Sequence, residues 1–380
     1  MAVEITEEFV WQNIPPRARD SHKGTFGSVL AVAGSAFYRG AALLAAEGAL
    51  RTGAGIVTLA SVEPVVGAAV TRLPECCLCP CKEGAQGGIA PENVPLLRRQ
   101  KATVLLLGPG LGGTAQSAAR ATETRTLVQQ LLPGFAGAAV LDADGLNAAA
   151  QLLAEGKPFP HPAGELVVTP HPGEMARLTG FSAAELAADR EGIALRYAKA
   201  WNAVVVLKGA RTVVASPDGR VCVNPTGNPG LARGGSGDVL AGMLAALLAC
   251  GLPAYQAAAC AVYLHGAAAD RAAAKYGEYG MLPHEILPEL GADAIGVNCS
   301  NGPDLLDSVV RGVKAVSPVP VLAKPNAGLP VMTDDGRAVY SMGPEAFAGH
   351  MKALIDTGAS LLGGCCGTTP AHIQALKAIL

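Results

Sequence analysis

The strongest chemical signal in the sequence is a glycine-rich loop that ends in an aspartate. Residues 228–238 read NPGLARGGSGD, and a long apolar helix is predicted to follow at once. Gly234, Gly235 and Gly237 allow positive φ and a close approach of backbone N–H groups to an anion, which the positive end of the helix also favours. Asp238 is therefore predicted to be a base that deprotonates a hydroxyl attacking a phosphoryl group. An N-capping aspartate on a glycine turn is the structural alternative.

Two further loops follow apolar runs and carry groups that suit a nucleotide or its acceptor. Residues 208–212 (KGART) are predicted to contact nucleotide phosphate through Lys208 and the loop backbone. His171 lies in PHPGE, where it is predicted to hydrogen-bond a substrate amide or hydroxyl, and Glu174 is predicted to start the next helix. A solvated turn and an unspecialised histidine are the alternatives for these two loops.

Glycines and carboxylates mark two more strand ends. Residues 108–112 (GPGLG) permit the close approach of a ligand, although a tight turn has the same composition. Asp142, Asp144 and Asn147 offer two carboxylates and an amide after another apolar run. Because Mg²⁺ prefers oxygen ligands, Asp142 or Asp144 is predicted to meet that ion through water, with a capped turn as the alternative.

The apolar runs that precede these loops predict a parallel sheet. They lie at residues 27–34, 55–61, 104–107, 138–141, 166–169 and 203–207. Each is short and ends at a glycine or polar loop, and residues 40–52 have the pattern of an Ala/Leu helix. Uninterrupted apolar strands are covered by helices on both faces of a sheet. Because ligands bind beyond the carboxyl ends of such strands, the loops are expected to converge on one site.

Composition limits the other classes to which the chain could belong. Its 380 residues correspond to one large domain or two, and the net charge of −2 gives no reason to expect nucleic acid or an anionic membrane as a partner. The chain opens with no secretory signal, and no apolar run is long enough to span a membrane. The ten cysteines are therefore expected to be reduced in the cytoplasm, with residues 75–81 (ECCLCPC) as a surface segment.

Seven motifs, found in order between about residue 9 and residue 290, resemble those of one known family. They are HKGTFGSVLAVAGS, YRGAALLAAEGALRTGAG, GPGLG, LDADGLNAA, VVTPHPGEMARLTG, VVLKGARTVV and NPTGNPGLARGGSGDVLAGMLAALL. Together they resemble the ADP- or ATP-dependent NAD(P)H-hydrate dehydratases. The resemblance implies a ribokinase-like α/β fold, a three-layer sandwich with a mostly parallel central sheet, for residues 1–290.

The resemblance also implies a reaction and a set of site residues. The nucleotide, ADP in bacterial members, phosphorylates the ring hydroxyl of hydrated NADH or NADPH, and phosphate then leaves. Asp238 matches the catalytic and substrate-binding aspartate. The nucleotide-binding positions are matched by Lys208, Gly209, Ala210, Arg211, Thr212 and Gly237. The other substrate-binding positions are matched by Ala41, Gly110 and His171. No companion epimerase segment is found in the sequence, so the S epimer is the expected substrate. Family members are commonly homo-oligomers.

From residue 291 the sequence resembles another family, the homocysteine S-methyltransferases. GADAIGVNCSNGP, PVLAKPNAGLP and LLGGCCGTTPAHI match the last part of that barrel. The resemblance implies that Cys299, Cys365 and Cys366 bind Zn²⁺, which would activate a substrate thiol. Residues 291–380 are too few to close an eight-stranded barrel, which takes on the order of 200 or more residues. This segment is therefore expected to be a truncated (β/α) unit.

Two other interpretations of the sequence as an enzyme remain open. A small-molecule kinase of the ribokinase-like fold shares a glycine loop and aspartate of this kind, so Asp238 alone does not decide between kinase and dehydratase. A zinc-dependent homocysteine S-methyltransferase activity of the last 90 residues is the second alternative. A catalytically silent dinucleotide-binding module is disfavoured because Asp238, His171 and Lys208 are all present.

Overall fold

The chain folds into two compact units, Met1–Leu290 and Gly291–Leu380. The structure, a computed structural model, describes residues 2–290, 295–298, 301–316, 320–333 and 338–380. Each unit has an apolar core of its own.

One sheet of ten strands forms the centre of the first unit. The strands are β1 (Val3–Glu4), β2 (Ser28–Val32), β3 (Ile56–Ser61), β4 (Cys77–Pro80), β5 (Val104–Leu107), β6 (Ala138–Leu141), β7 (Leu166–Val168), β8 (Val204–Leu207), β9 (Val213–Ala215) and β10 (Val221–Val223). Their order across the sheet is β1-β10-β9-β8-β7-β6-β5-β2-β3-β4. Strand β9 runs antiparallel to both of its neighbours, and the other neighbouring pairs are parallel.

Helices cover both faces of this sheet. They are α1 (Glu7–Asn13), α2 (Arg39–Arg51), α3 (Glu63–Arg72), α4 (Val94–Arg98), α5 (Ala118–Leu131), α6 (Asp144–Ala154), α7 (Pro172–Thr179), α8 (Ala183–Ala188), α9 (Arg190–Trp201), α10 (Ser236–Ala249) and α11 (Ala254–Gly280). Helices α2, α10 and α11 form one layer, in which α10 packs against β2, β5 and β6. Helices α5, α6 and α7 pack against one another in turn. Because parallel crossovers are right-handed, β2-α2-β3 and β5-α5-β6, which cross the sheet in opposite directions, place their helices on opposite faces.

Two glycines allow α2 and α10 to approach closely. A Cβ on Gly48 would lie 2.7 Å from the carbonyl oxygen of Val239, and a Cβ on Gly242 would overlap the carbonyl oxygen of Ala45. Any larger residue would force the two helices apart. Since α10 carries the glycine turn at its start, this packing fixes the turn against the start of α2.

The six predicted strands are all present, with ends that differ by a few residues. The sequence patterns missed β1, β4, β9 and β10, which are four residues long or shorter. The prediction that residues 75–81 form a surface segment was wrong, because three of its four cysteines, Cys76, Cys79 and Cys81, are buried. Strand β4 pairs with β3 at the sheet edge, where thiols pack as small apolar groups.

The second unit contains a three-stranded parallel sheet. Its strands are β11 (Ile295–Asn298), β12 (Val321–Lys324), β13 (Pro330–Met332), β14 (Ala338–Tyr340) and β15 (Ala359–Leu362), and its helices are α12 (Asp307–Val316), α13 (Pro344–Thr357) and α14 (Pro370–Ala378). The sheet order is β11-β12-β15, and β13 and β14 form a separate hairpin. Across the parts of the chain that the structure describes, no helix is long and apolar enough to cross a bilayer.

Candidate active site

The topology of the sheet places the loops after β2 and β5 side by side. From β2 the chain moves to β3 and β4, whereas from β5 it moves the opposite way to β6, β7 and β8. Open α/β sheets bind ligands in the crevice that such a reversal leaves at the carboxyl ends of the strands. A cavity of about 940 Å³ lies at this point. Its wall includes Tyr38, Ala41, Gly110, Asp144, Arg177 and Asp238.

The glycine turn leads into α10, whose first turn carries Asp238. Gly235 has a φ of 101°, a conformation that favours glycine, and a Cβ there would lie 2.7 Å from Cδ1 of Leu44. Burial raises the pKa of Asp238 to about 7; repulsion from Asp142 adds to the rise, and attraction to Lys208 opposes it. A carboxyl group with this pKa can accept a proton near neutral pH.

Lys208 connects three of the predicted loops. Its Nζ donates a hydrogen bond of 2.8 Å to Oδ1 of Asp142 and lies 3.9 Å from Oε2 of Glu174. Thr169 donates a hydrogen bond of 2.7 Å to the same oxygen of Asp142. A Cβ on Gly237 would lie 3.3 Å from Nζ of Lys208, so the glycine turn reaches this cluster. Burial lowers the pKa of Lys208, but attraction to Asp142 and Glu174 outweighs burial, so the pKa is raised and the ammonium group is charged.

The backbone after β8 is held by Arg190, a residue that the sequence analysis missed. Its guanidinium donates hydrogen bonds of 3.0, 3.2 and 2.6 Å to the carbonyl oxygens of Leu207, Lys208 and Ala210. With these carbonyls occupied by Arg190, the loop can present its N–H groups to an anion. The position of Arg190 at the start of α9 carries no sequence signal that relates it to a loop 18 residues away.

The remaining predicted nucleotide-binding residues lie in the same loop. Gly209 and Arg211 both have positive φ, of 148° and 55°. Thr212 donates a hydrogen bond of 3.0 Å to the carbonyl oxygen of Gly209, which closes the turn. The Arg211 side chain forms an ion pair of 3.0 Å with Glu4 on β1. Both side chains of this pair are largely exposed, so the pair is weak.

His171 is the N-cap of α7 and shares a capping box with Glu174. Nδ1 of His171 accepts a hydrogen bond of 3.0 Å from the N–H of Gly173, and Oε2 of Glu174 accepts one of 2.8 Å from the N–H of His171. Nε2 of His171 lies 3.5 Å from Glu174. Burial and the nearby charge of Lys208 lower the pKa of His171, so the ring is neutral and Nε2 is its remaining group for a ligand. Burial raises the pKa of Glu174 to about 7.

Ala41 and Gly110 lie together in the cavity wall. Gly110 has a φ of 63°, and a Cβ on it would lie 2.9 Å from Cβ of Ala41. Next to them, Nε2 of Gln116 donates a hydrogen bond of 2.7 Å to the hydroxyl of Tyr38. Neither Tyr38 nor Gln116 was predicted to be a site residue, although both follow predicted strands.

A chain of hydrogen bonds forms another part of the wall. The N–H of Gly112 donates to Oδ2 of Asp144 at 2.8 Å, and Asn147 lies 3.5 Å from Oδ1 of the same carboxylate. Nη1 of Arg177 donates to Oδ1 of Asn147 at 3.0 Å. Burial raises the pKa of Asp144. Arg177 was also missed, although its spacing of three residues from Glu174 places both side chains on one side of α7.

In the part of the second unit that the structure describes, the predicted zinc site finds no support. Cys299 lies outside the described residues, Cys366 is exposed and Cys365 is partly buried. Within the described ranges, no group of three or more His, Cys, Asp or Glu side chains is arranged to hold a metal ion.

Comparison with known proteins gives two family matches. The model of the NAD(P)H-hydrate dehydratase family matches residues 29–291, and the model of the homocysteine S-methyltransferase family matches residues 242–380, beginning within α10. The second match agrees with the predicted resemblance of the C-terminal segment to part of that family.

Individual relatives extend the first match. A bifunctional NAD(P)H-hydrate repair enzyme from Moorella thermoacetica is 45% identical over 285 residues, which are 74% of this chain and 52% of that protein. The chain thus spans about half the length of the bifunctional relatives that it matches. The ADP-dependent (S)-NAD(P)H-hydrate dehydratase of Bacillus subtilis is 37% identical over 284 residues, which are 74% of this chain and 94% of that protein.

Solved structures confirm the predicted fold. The crystal structure of the Bacillus subtilis ADP/ATP-dependent dehydratase, co-crystallised with ATP and Mg²⁺, aligns with a TM-score of 0.65 at 34% identity, over 76% of this chain and 96% of that one. A ribokinase-like superfamily protein from Enterococcus faecalis aligns with a TM-score of 0.64 at 28% identity, over 76% and 94% of the two chains. The fold, the length of the match and the level of identity lead to one conclusion: the chain belongs to the NAD(P)H-hydrate dehydratase family.

Proposed function

We propose that this protein catalyses the nucleotide-dependent dehydration of the S epimer of hydrated NADH and NADPH, a hydro-lyase reaction that restores the reduced dinucleotide. The observation that carries the proposal is the position of Asp238, which lies on the cavity wall, on the first turn of α10 and next to Lys208, with its pKa raised to about 7 by burial. The Bacillus subtilis relative carries the same activity in its name.

The geometry supports a phosphoryl transfer from ADP or ATP to the ring hydroxyl. The N–H groups at the start of α10 and the charge of Lys208 would hold the nucleotide phosphate. Asp238 takes the proton of the ring hydroxyl, and the hydroxyl oxygen forms a bond to the terminal phosphorus of the nucleotide. At the same time the bond between that phosphorus and the rest of the nucleotide breaks. The carbon–oxygen bond then breaks, and its electron pair leaves with the phosphate. The adjacent carbon gives a proton to the departing phosphate, and the electron pair of that carbon–hydrogen bond restores the ring double bond. A phosphate leaves far more readily than hydroxide.

A divalent cation fits this arrangement of donors. Asp144 and Asp238 are carboxylates in the wall of one cavity, and carboxylate oxygens are the protein ligands that Mg²⁺ prefers. Mg²⁺ bound with the nucleotide would be held by Asp144 and would neutralise phosphate charge. Asp142 is less suited to that role than predicted, because it is 1% exposed and is not among the described residues of the cavity wall, and its Oδ1 accepts hydrogen bonds from Lys208 and Thr169.

The test follows the absorbance of NADH when the protein is incubated with hydrated NADH, Mg²⁺ and either ADP or ATP. Absorbance should grow only when a nucleotide is present, and Asp238→Asn should abolish that growth while ADP still binds. Asp218→Asn, which changes an exposed aspartate outside the cavity, is the matched control. Consumption of ATP with a small alcohol, and no conversion of hydrated NADH, would instead identify a ribokinase-like kinase.

Two further features were predicted from the sequence, and the structure does not test them. A homo-oligomer and a cytoplasmic location stay predictions, which light scattering and cell fractionation would test. We treat residues 291–380 as a partial methyltransferase-like segment that takes no part in the dehydration. The predicted binding of zinc by Cys299, Cys365 and Cys366 stays outside the proposed function, and the metal content of the purified protein would test it.

A further inference from the structure

Arg177 differs in charge from the other described residues that line the cavity. Of the described residues in the wall, it is the only one with a cationic side chain, whereas two, Asp144 and Asp238, carry carboxyl groups. Arg177 lies on α7 and is exposed. Its guanidinium can therefore meet a ligand that enters the cavity without first losing a buried partner.

The guanidinium of Arg177 is also held in place. Nη1 donates to Oδ1 of Asn147 at 3.0 Å, and Asn147 in turn lies 3.5 Å from Asp144, which accepts the N–H of Gly112 at 2.8 Å. Neutral Asn147 separates the arginine from the carboxylate, so that the positive charge is oriented but not cancelled by a direct ion pair. A guanidinium has five N–H donors, and the bond to Asn147 uses one of them.

The proposed substrate carries charge that this wall must balance. Hydrated NADH has a pyrophosphate with two negative charges, and hydrated NADPH has a 2′-phosphate in addition. Lys208, which we assign to the phosphate of the nucleotide, does not line the described wall of the cavity, whereas Arg177 does. A guanidinium group pairs with phosphate in a planar, bidentate geometry that gives strong, directional hydrogen bonds. The ammonium group of a lysine cannot form such a pair.

We propose that Arg177 binds a phosphate group of the dinucleotide substrate and that Asn147 is its positioning residue. The proposal rests on the proposed function. The cavity continues from Asn147 along α6 to Ala154, a rise of about 10 Å, which leaves room for the second nucleoside beyond Arg177. Arg177 thus lies between the reacting end at Asp238 and the far end of the cavity, as a contact to the linking phosphates requires.

The experiment measures the binding of the reaction products, NADH and NADPH, to the full chain by their fluorescence, and the binding of ADP by calorimetry. Arg177→Met should weaken the binding of NADPH by about 10- to 100-fold, as expected for the loss of a charge-assisted hydrogen bond, with ADP binding unchanged. Arg177→Lys should bind NADPH with an affinity between those of Arg177→Met and the wild type. Arg99→Met, which changes an exposed arginine at the end of α4, should bind all three ligands like the wild type.

The pattern of losses identifies the phosphate. An equal loss for NADH and NADPH indicates the pyrophosphate, and a loss confined to NADPH indicates the 2′-phosphate. Unchanged dinucleotide binding, or a loss confined to ADP, overturns the proposal. Asn147→Ala should weaken dinucleotide binding in the wild type but not in Arg177→Met, and additive losses would refute its positioning role. Because binding needs no turnover, a wild type that binds NADPH but does not dehydrate the hydrate rejects only the proposed function.

Discussion

Nζ of Lys208 and Oδ1 of Asp142 form a hydrogen bond of 2.8 Å, and they join two strand ends that lie 66 residues apart in sequence. Asp142 is 1% exposed, so this ion pair is buried on the carboxylate side. The same ammonium lies 3.9 Å from Glu174, and its charge opposes the rise in the pKa of Asp238. One cation is therefore shared by three carboxyl groups. Because its hydrogen bond goes to Asp142, burial still raises the pKa values of Glu174 and Asp238 to about 7.

Lys208→Met should destabilise the protein strongly. Removing one partner of a buried ion pair leaves an uncompensated charge on Asp142 and typically costs about 3 to 5 kcal/mol. Urea denaturation would measure this loss in the free energy of unfolding. Adding Asp142→Asn to Lys208→Met should recover part of it, because the stranded charge is then gone. Lys199→Met, at an exposed position on α9, should change the free energy by less than about 0.5 kcal/mol.

The sheet could be predicted from the sequence because its strands are short and apolar throughout. Val104–Leu107 is buried at every position, so four apolar residues before a glycine loop were a sufficient signal. Strands β9 and β10 have three residues each, and their pairing depends on a turn at Gly219 rather than on an apolar run.

The site could be predicted only in part, for a physical reason. Lys208 and Asp142 follow predicted strands, and parallel topology brings such ends together, whereas Gly237 was predicted from its glycine-rich loop. The roles of Arg190 and Arg177 depend on where α9 and α7 place long side chains, which local sequence patterns do not encode. His171 was singled out for ligand contact, and the structure shows that its Nδ1 also caps α7.

The rate of dehydration should depend on pH through Asp238. The base must be ionised to accept a proton, and burial has raised its pKa to about 7. We therefore expect kcat/KM to fall about tenfold for each pH unit below 7 and to level off above it. The profile should be measured between pH 5 and 9 at saturating ADP. A profile that is flat down to pH 5 would show that the base has an ordinary carboxyl pKa.

The stability of the protein should change with pH in the opposite sense. Between pH 4 and 7 the folded state holds the proton of Asp238 more tightly than the unfolded chain, so the contribution of this group falls as pH rises. Asp238→Asn removes the group that ionises. Its free energy of unfolding, relative to that of the wild type, should therefore rise by about 1 to 3 kcal/mol from pH 5 to pH 8. Urea denaturation of both proteins at pH 5 and at pH 8 would measure this rise.

A control for this gain is Asp218, whose pKa a hydrogen bond from Arg220 lowers to about 2. It is ionised in both the folded and the unfolded state above pH 5, so Asp218→Asn should show no change relative to the wild type over the same window. An equal gain in both variants would mean that net charge, rather than burial of Asp238, is the cause.

Gly110→Ala should impair the cavity more than it impairs the fold. Its φ of 63° disfavours a side chain, and the new Cβ would lie 2.9 Å from Cβ of both Ala41 and Tyr38. Overpacking of this kind costs about 1 to 3 kcal/mol, and a shift of about 1 Å in a substrate-positioning loop can cost about 100-fold in rate. Thermal unfolding and kcat/KM for hydrated NADH would be compared with Gly67→Ala, in α3, where a Cβ meets nothing within 4 Å. Unchanged kinetics in Gly110→Ala would remove the loop from the substrate site.

A version of the protein that ends at Leu290 should retain full dehydratase activity. The described residues that line the cavity all lie before that point, and the two units have separate apolar cores, one containing Leu105 and the other Phe347. The first unit therefore has an apolar core of its own around which it can fold. Equal kcat/KM and equal melting temperature for the catalytic unit are expected in the two versions. A drop in kcat/KM without a loss of folded protein would show that residues 291–380 contribute to the reaction, because an effect on folding alone would reduce the amount of folded protein.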